Sequence, residues 1–366
     1  MRKTGLFIGL CLALAACTSR QAEVTASIPF VEAVLKSPES QEYLTLSAPD
    51  FRIEQGVVAV LDTGSRALSL GASLLLSDRF DNIDGASVQD LLPDLAGEDL
   101  YIYMSLSPGA DVRTRAVQSV YRTLAGSFIP DPFLPDNREA LKRAKLILLG
   151  ETAMAGKALD DVRILLDGTG SGVQVVSPAE SMLKKALEDS TRMHIGILAT
   201  PADVASGVYG EVFGRVAPGS RARIYPLAAP DTIPDLLKAY LTAYMAAGHR
   251  DRLSALLVDD PTVPIPALNA SLVDIMLTYN EENAVLGSVL DPDFEIIDGT
   301  DAAIRDICSI LREKSWYTHR ISAPRPSLFR IQGDAVVEYN EKSATEETDS
   351  LILSVSPELY EIYVQN

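Results

Sequence analysis

The sequence predicts an α/β protein made of two similar domains whose mostly parallel sheets face each other across a cleft, followed by a short β-rich C-terminal extension. Three observations carry that expectation. From about Ile53, short aliphatic and β-branched runs alternate with helical patterns, the signature of parallel strands covered on both faces. Two strand-to-helix turns resemble each other: Val60-Leu61-Asp62-Thr63-Gly64 and Ile197-Leu198-Ala199-Thr200-Pro201 both close a strand with a threonine and open a helix. Two such halves facing each other would bring both turns to a shared cleft at the carboxyl ends of the strands. The third observation is a change of pattern from Ala323 to Asn366. There Leu328–Ile331 and Leu351–Val355 read as strands on either side of the polar stretch Glu341–Ser350.

The elements follow in order. Strands are expected at Val57–Leu61, Leu100–Met104, Lys145–Leu149, Val173–Val176, Ile195–Ala199, Ala222–Tyr225, Ala255–Val258 and Glu295–Ile297. Helices are expected at Ser65–Leu76, Ser181–Glu188, Pro234–Ala246 and Asp301–Arg312. In the last of these, Ile304, Ile307, Cys308 and Leu311 recur at helical spacing, which makes Cys308 a buried core thiol. The first domain is assigned to 51–190 together with 269–322, the second to 191–268, and the extension to 323–366.

Composition narrows the function classes. At 366 residues the chain suits one large α/β unit or two ordinary domains, and its 47% hydrophobic content can fill their cores. Fifty acidic against 32 basic residues give a net charge of −18, which excludes a general nucleic-acid binder, since phosphate neutralisation needs clustered Lys and Arg. Three cysteines exclude a disulfide framework.

Two of those cysteines lie in the N-terminal leader. Arg2 and Lys3 precede the apolar run Gly5–Ala16, which ends in Leu14-Ala15-Ala16-Cys17. That ending resembles the lipobox of bacterial lipoproteins. The resemblance implies a signal peptide over 1–16, lipidation of Cys17, and a tether and lead-in over 17–50. The expected partner is therefore a membrane reached through the N-terminal lipid, and the expected location is the bacterial cell envelope, on the outer membrane or the periplasmic face.

The strand-to-helix turns carry the candidate chemistry. In Asp62-Thr63-Gly64-Ser65, exposed amides at a helix start would suit an anionic ligand, while Asp62 or Thr63 would equally serve as the helix cap. Gly150-Glu151-Thr152-Ala153 poses the same choice.

Taken together, the turns resemble glutamate racemases. Val58–Gly64 is similar to that family's first strand and D-S-G turn, and Ala144–Ala153 to its C-N-T turn. Val175–Ala179 resembles its E-P-G turn. Ile195–Tyr209 is similar to the segment opening its second domain, a strand, a Thr and a V-x-S-x-x-Y helix start. Ile296–Ala303 resembles its closing I-D-S-G-E-A element. The landmarks run in the family's order from about Gly56 to Leu311.

The departures are chemical. The family moves the substrate α-proton with two cysteines on opposite faces. Here the first position reads Gly150, with Glu151 in place of Asn. The family's second turn, C-T-H-Y-P, matches Asp260-Pro261-Thr262-Val263-Pro264, or Asp259 at that cysteine with a slip of one residue. The resemblance thus implies the fold without the two-thiol mechanism. It leaves Asp62, Glu151 and Asp260 as candidate carboxylate bases, and Thr63, Gly64, Thr152, Thr200, Ser206 and Thr262 as candidate contacts for a small amino-acid-like ligand or a cell-wall fragment.

Purely structural roles stay open for the acids: a cap for Asp62, a solvated helix-start residue for Glu151, an Asp-Pro turn for Asp260. The alternatives are a carboxylate-based isomerase or lyase, and an envelope scaffold with a vestigial cleft. No cofactor or metal is expected: His194, His249 and His319 form no metal-spaced pair, and no Walker, G-x-S-x-G or dinucleotide motif occurs. The oligomeric state is left open.

Overall fold

A computed structural model describes residues 28–75, 77, 98–105, 111–228, 235–317 and 326–340. The leader with Cys17, and the expected strand at 351–355, lie outside the described residues. Two helices come first, α1 (Pro29–Lys36) and α2 (Gln41–Ser47). Sequence places them in the tether and lead-in, but Ile28, Val31, Val34 and Leu46 are buried in one core with Val57 and Ala59. The reason is local: Val31, Val34 and Leu35 fall at helical spacing and make an apolar face that must be covered.

The first unit then alternates strand and helix. It contains β1 (Val57–Asp62), α3 (Gly64–Leu75), β2 (Leu100–Ser105), α4 (Val112–Leu124), a short antiparallel pair β3 (Ser127–Phe128) and β4 (Glu139–Ala140), β5 (Ala144–Leu149), α5 (Lys157–Gly168), β6 (Gln174–Val176) and α6 (Pro178–Leu187). β1 and β5 are buried along their whole length, which is why they read as unbroken apolar runs.

The second unit follows with β7 (His194–Ala199), α7 (Pro201–Ser206), α8 (Val208–Val216), β8 (Arg223–Ala228), α9 (Leu236–Ala246), β9 (Leu253–Val258), α10 (Ile265–Leu277), α11 (Glu281–Gly287) and β10 (Leu290–Asp298). Its four strands are all parallel, in the order β10-β9-β7-β8. The sequence assignment of 269–322 to the first domain therefore fails for its first thirty residues. Glu295–Asp298 pair in register with Ala255–Val258, so the chain stays in the second sheet through β10.

It returns with α12 (Gly299–Glu313), which puts Ala303, Ile304, Ile307, Cys308 and Leu311 into one core with Val58, Val60 and Leu68. Cys308 is a buried free thiol, as its spacing suggests. The chain ends its described course in β11 (Pro326–Gln332) and β12 (Ala335–Glu338). These are part of the first sheet, whose order is β12-β11-β2-β1-β5-β6. β11 lies parallel to β2, with Pro326 opposite Leu100. The predicted extension is thus structural from Pro326: its strand buries Leu328, Phe329 and Ile331.

Candidate functional site between the two sheets

β1 and β5 are neighbours, so their carboxyl ends bring the Asp62 and Gly150 turns side by side. Asp62 is 1% exposed. Its Oδ1 accepts the Thr63 amide at 2.7 Å, and Gly64 starts α3 with φ +45°, a conformation suited to glycine. One helical turn further on, Arg66 donates from Nε to Asp62 Oδ2 at 3.4 Å.

The rest of the Arg66 guanidinium spans the two units. Nη2 donates to Thr152 Oγ1 (3.1 Å) and Gly150 O (3.4 Å) in the first, and to Asp259 O (3.3 Å) in the second. Nη1 lies 3.8 Å from Asp260 Oδ1. With Asp62, Asp259, Asp260 and Asp203 around it, the guanidinium holds its proton more firmly than usual, despite its burial.

Asp259, at the carboxyl end of β9, is the second centre of the cluster. Its Oδ2 accepts from Thr152 Oγ1 at 2.8 Å and from the Tyr209 hydroxyl at 2.7 Å, so it too joins the units. Its Oδ1 is buried and has no hydrogen-bond partner. Burial pushes the Asp259 carboxyl up to about 6, against the pull of Arg66. Burial also raises Asp62, and the Tyr209 hydroxyl is driven up by burial and by Asp259. Glu151 repeats the pattern. It pairs with Arg115 of α4, its Oε2 is buried without a partner, and burial lifts it to about 7.

The residues singled out by sequence fall into two groups. Asp62, Glu151, Thr152 and Gly64 meet around Arg66 or beside it. Asp260 stands at the rim and accepts the Thr262 amide (2.9 Å) and hydroxyl (2.7 Å), the hydrogen bonds of a local turn. Thr200 caps α7, accepting the Asp203 amide at 3.2 Å and donating to its carboxylate at 2.7 Å. Ser206 is exposed and donates to Asp203 O at 2.6 Å. Arg66, Arg115 and Tyr209 were given no role from sequence. Arg66 had a visible signal, its i, i+4 spacing from Asp62. Asp259 was legible only as the one-residue slip. Among the described residues no three His, Cys, Asp or Glu side chains form a metal-ligand set. Arg66 supplies the positive charge among the carboxylates.

No protein-family profile matches the chain. Over 170 residues it is 25% identical to the glutamate racemase of Streptococcus pyogenes serotype M49 (strain NZ131), covering 46% of this chain and 59% of that protein. The chain thus spans less than two thirds of the curated relatives it matches. Solved structures align over more of it. A glutamate racemase of Bacillus anthracis superposes with TM-score 0.51 at 12% identity, covering 84% of this chain and 95% of that one. The glutamate racemase of Francisella tularensis, solved in complex with D-glutamate, gives TM-score 0.50 at 15% identity, covering 82% and 94%. The chain has the fold of these glutamate racemases.

Within that racemase fold, position 150 has a distinctive geometry. A Cβ built on Gly150 would lie 2.4 Å from Asp62 Oδ2 and 2.3 Å from Leu70 Cδ1. A side chain there would have to displace a buried carboxylate, so the turn is packed for glycine. The only cysteine among the described residues, Cys308, sits in a core formed with α3 and β1, in a helix away from these turns. Among the described residues, the floor between the racemase-like units is therefore built of carboxylates, hydroxyls and the guanidinium groups of Arg66 and Arg115.

Proposed function

We propose that this protein is a cell-envelope lipoprotein of racemase fold that binds a small amino-acid-like ligand between its two units and does not racemise it by thiol chemistry. The observation that carries the reading is Gly150, whose Cβ position is taken up by Asp62. Two-base racemisation needs a group of suitable basicity on each side of the substrate α-carbon. Here one of the two positions has no side chain, and a Cβ there would have to displace the Asp62 carboxylate and the end of Leu70. Binding is supported by the two buried acceptor atoms without partners, Glu151 Oε2 and Asp259 Oδ1, since such atoms are costly unless a donor reaches them. An ammonium group is a donor of that kind.

The test is incubation of the full chain with L- and D-glutamate and L- and D-aspartate in D₂O, followed by NMR. Saturation transfer from protein to amino acid is expected, with no Cα deuteration above a heat-killed control. Deuteration overturns the non-racemising reading, and its loss in Glu151→Gln would assign the chemistry to carboxylates. Absence of saturation transfer across amino acids overturns binding and leaves the scaffold. The lipid anchor rests on Leu14-Ala15-Ala16-Cys17 after a basic, apolar leader. Cys17→Ser is expected to abolish palmitate labelling and release the protein from membranes. Retained labelling removes the anchor.

A further inference from the structure

Away from the cleft, β6 ends the six-stranded sheet. Among the described residues it pairs on one side only, with β5. Its other edge borders a cavity of ≈ 450 Å³ walled by α5, α6 and α12. Three features of that cavity point to a ligand. The Val175 carbonyl turns to the outer side, where the Arg163 guanidinium meets it at a long 3.4 Å. Strand geometry turns the Val175 N–H the same way, so one residue offers a donor and an acceptor side by side. On the cavity wall, Ser177 is 1% exposed, and its Oγ is buried with no hydrogen-bond partner. A polar atom so placed wants a donor or acceptor from whatever fills the space.

The charges fix the sign of the ligand. Arg163 and Lys184 are both engaged by Glu180, at 3.0 and 2.8 Å. Asp167, Asp306 and Glu313 also line the space, which leaves the wall net negative.

We propose that this edge of β6 is a docking site for a short extended peptide of net positive charge, which adds as a strand beside Val175 and reaches Ser177. Main-chain pairing supplies the affinity in strand addition, and the flanking side chains supply the selectivity. The volume suits two or three residues. The site is separate from the floor around Arg66 and holds whether or not that floor binds an amino acid.

The experiment is calorimetric titration of the full chain with three probes: Ala-Lys-Ala, Ala-Glu-Ala, and Ala-Lys-Ala with a methylated central amide. Ala-Lys-Ala is expected to bind at least tenfold more tightly than either of the others. Ser309 lines the same cavity from an exposed position on α12, so Ser309→Trp should fill it without disturbing the core. It is expected to weaken Ala-Lys-Ala at least tenfold while leaving saturation transfer to glutamate unchanged. The proposal is overturned if Ala-Lys-Ala gives no binding, if the methylated peptide binds equally well, or if Ser309→Trp leaves its affinity intact.

Discussion

At Gly150, Asp62 Oδ2 and Leu70 Cδ1 stand where a Cβ would lie. Asp62 is held by the Thr63 amide and by Arg66, so it cannot easily leave the space that a side chain at 150 would need. Gly150→Ala is expected to destabilise the fold by about 1–3 kcal/mol, the usual cost of overpacking a close-packed site. The cost should shrink in an Asp62→Ala background, where the obstructing carboxylate is gone. Urea unfolding midpoints of the two single variants and the double variant measure this. A Gly150→Ala midpoint equal to that of the parent would mean that the turn relaxes freely and that glycine there has no steric cause. Asp259 and Glu151 are the other residues that decide the site's character. Each is pushed up into the range of 6 to 7 by burial, so each exchanges its proton near neutral pH.

At the scale of elements, the central fact is that α3 reaches from one unit to the other through Arg66. Its partners are Asp62 on β1, Thr152 after β5, and the Asp259 carbonyl after β9. The Thr152–Asp259 hydrogen bond runs across the same junction, and Tyr209 holds the same carboxylate from within the second unit. Arg66→Met would keep the apolar stem and remove the charge, leaving Asp62 and Asp259 buried without their cation. Removal of one partner from a buried ionic cluster costs about 3–5 kcal/mol, and that loss is expected here. Arg66→Met combined with Asp62→Asn should recover part of it. A loss below about 1 kcal/mol in the single variant would show that the guanidinium does not hold the units together, since exposed pairs contribute only that much.

For the whole molecule, the topology brings together strands that lie far apart in sequence. The first sheet is completed by β11, contributed from beyond the second unit. Phe329 on that strand is 1% exposed and stacks on Tyr103 with ring centroids 5.2 Å apart, with Tyr101 and Phe128 at its edges. Phe329→Ala should therefore cost about 3–5 kcal/mol, like other large core truncations. A change near zero in thermal or urea unfolding would return this segment to the status of an appendage.

The sequence by itself determined the strands, the order of the turns and the lack of thiols in them, because each is written locally. Apolar runs such as Ala144–Leu149 declare a doubly covered strand wherever they end up, and a glycine at 150 carries no nucleophile in any fold. Other matters were settled only by tertiary structure. Asp259 rather than Asp260 enters the junction because a one-residue step at a strand end reverses the direction of a side chain. β10 joins the second sheet, and α1 joins the core, because pairing and packing depend on which distant faces meet. Arg66 became the centre of the site for the same reason. Its four-residue spacing from Asp62 was visible in the chain, but its partners in the turns after β5 and β9 exist only once two units fold face to face.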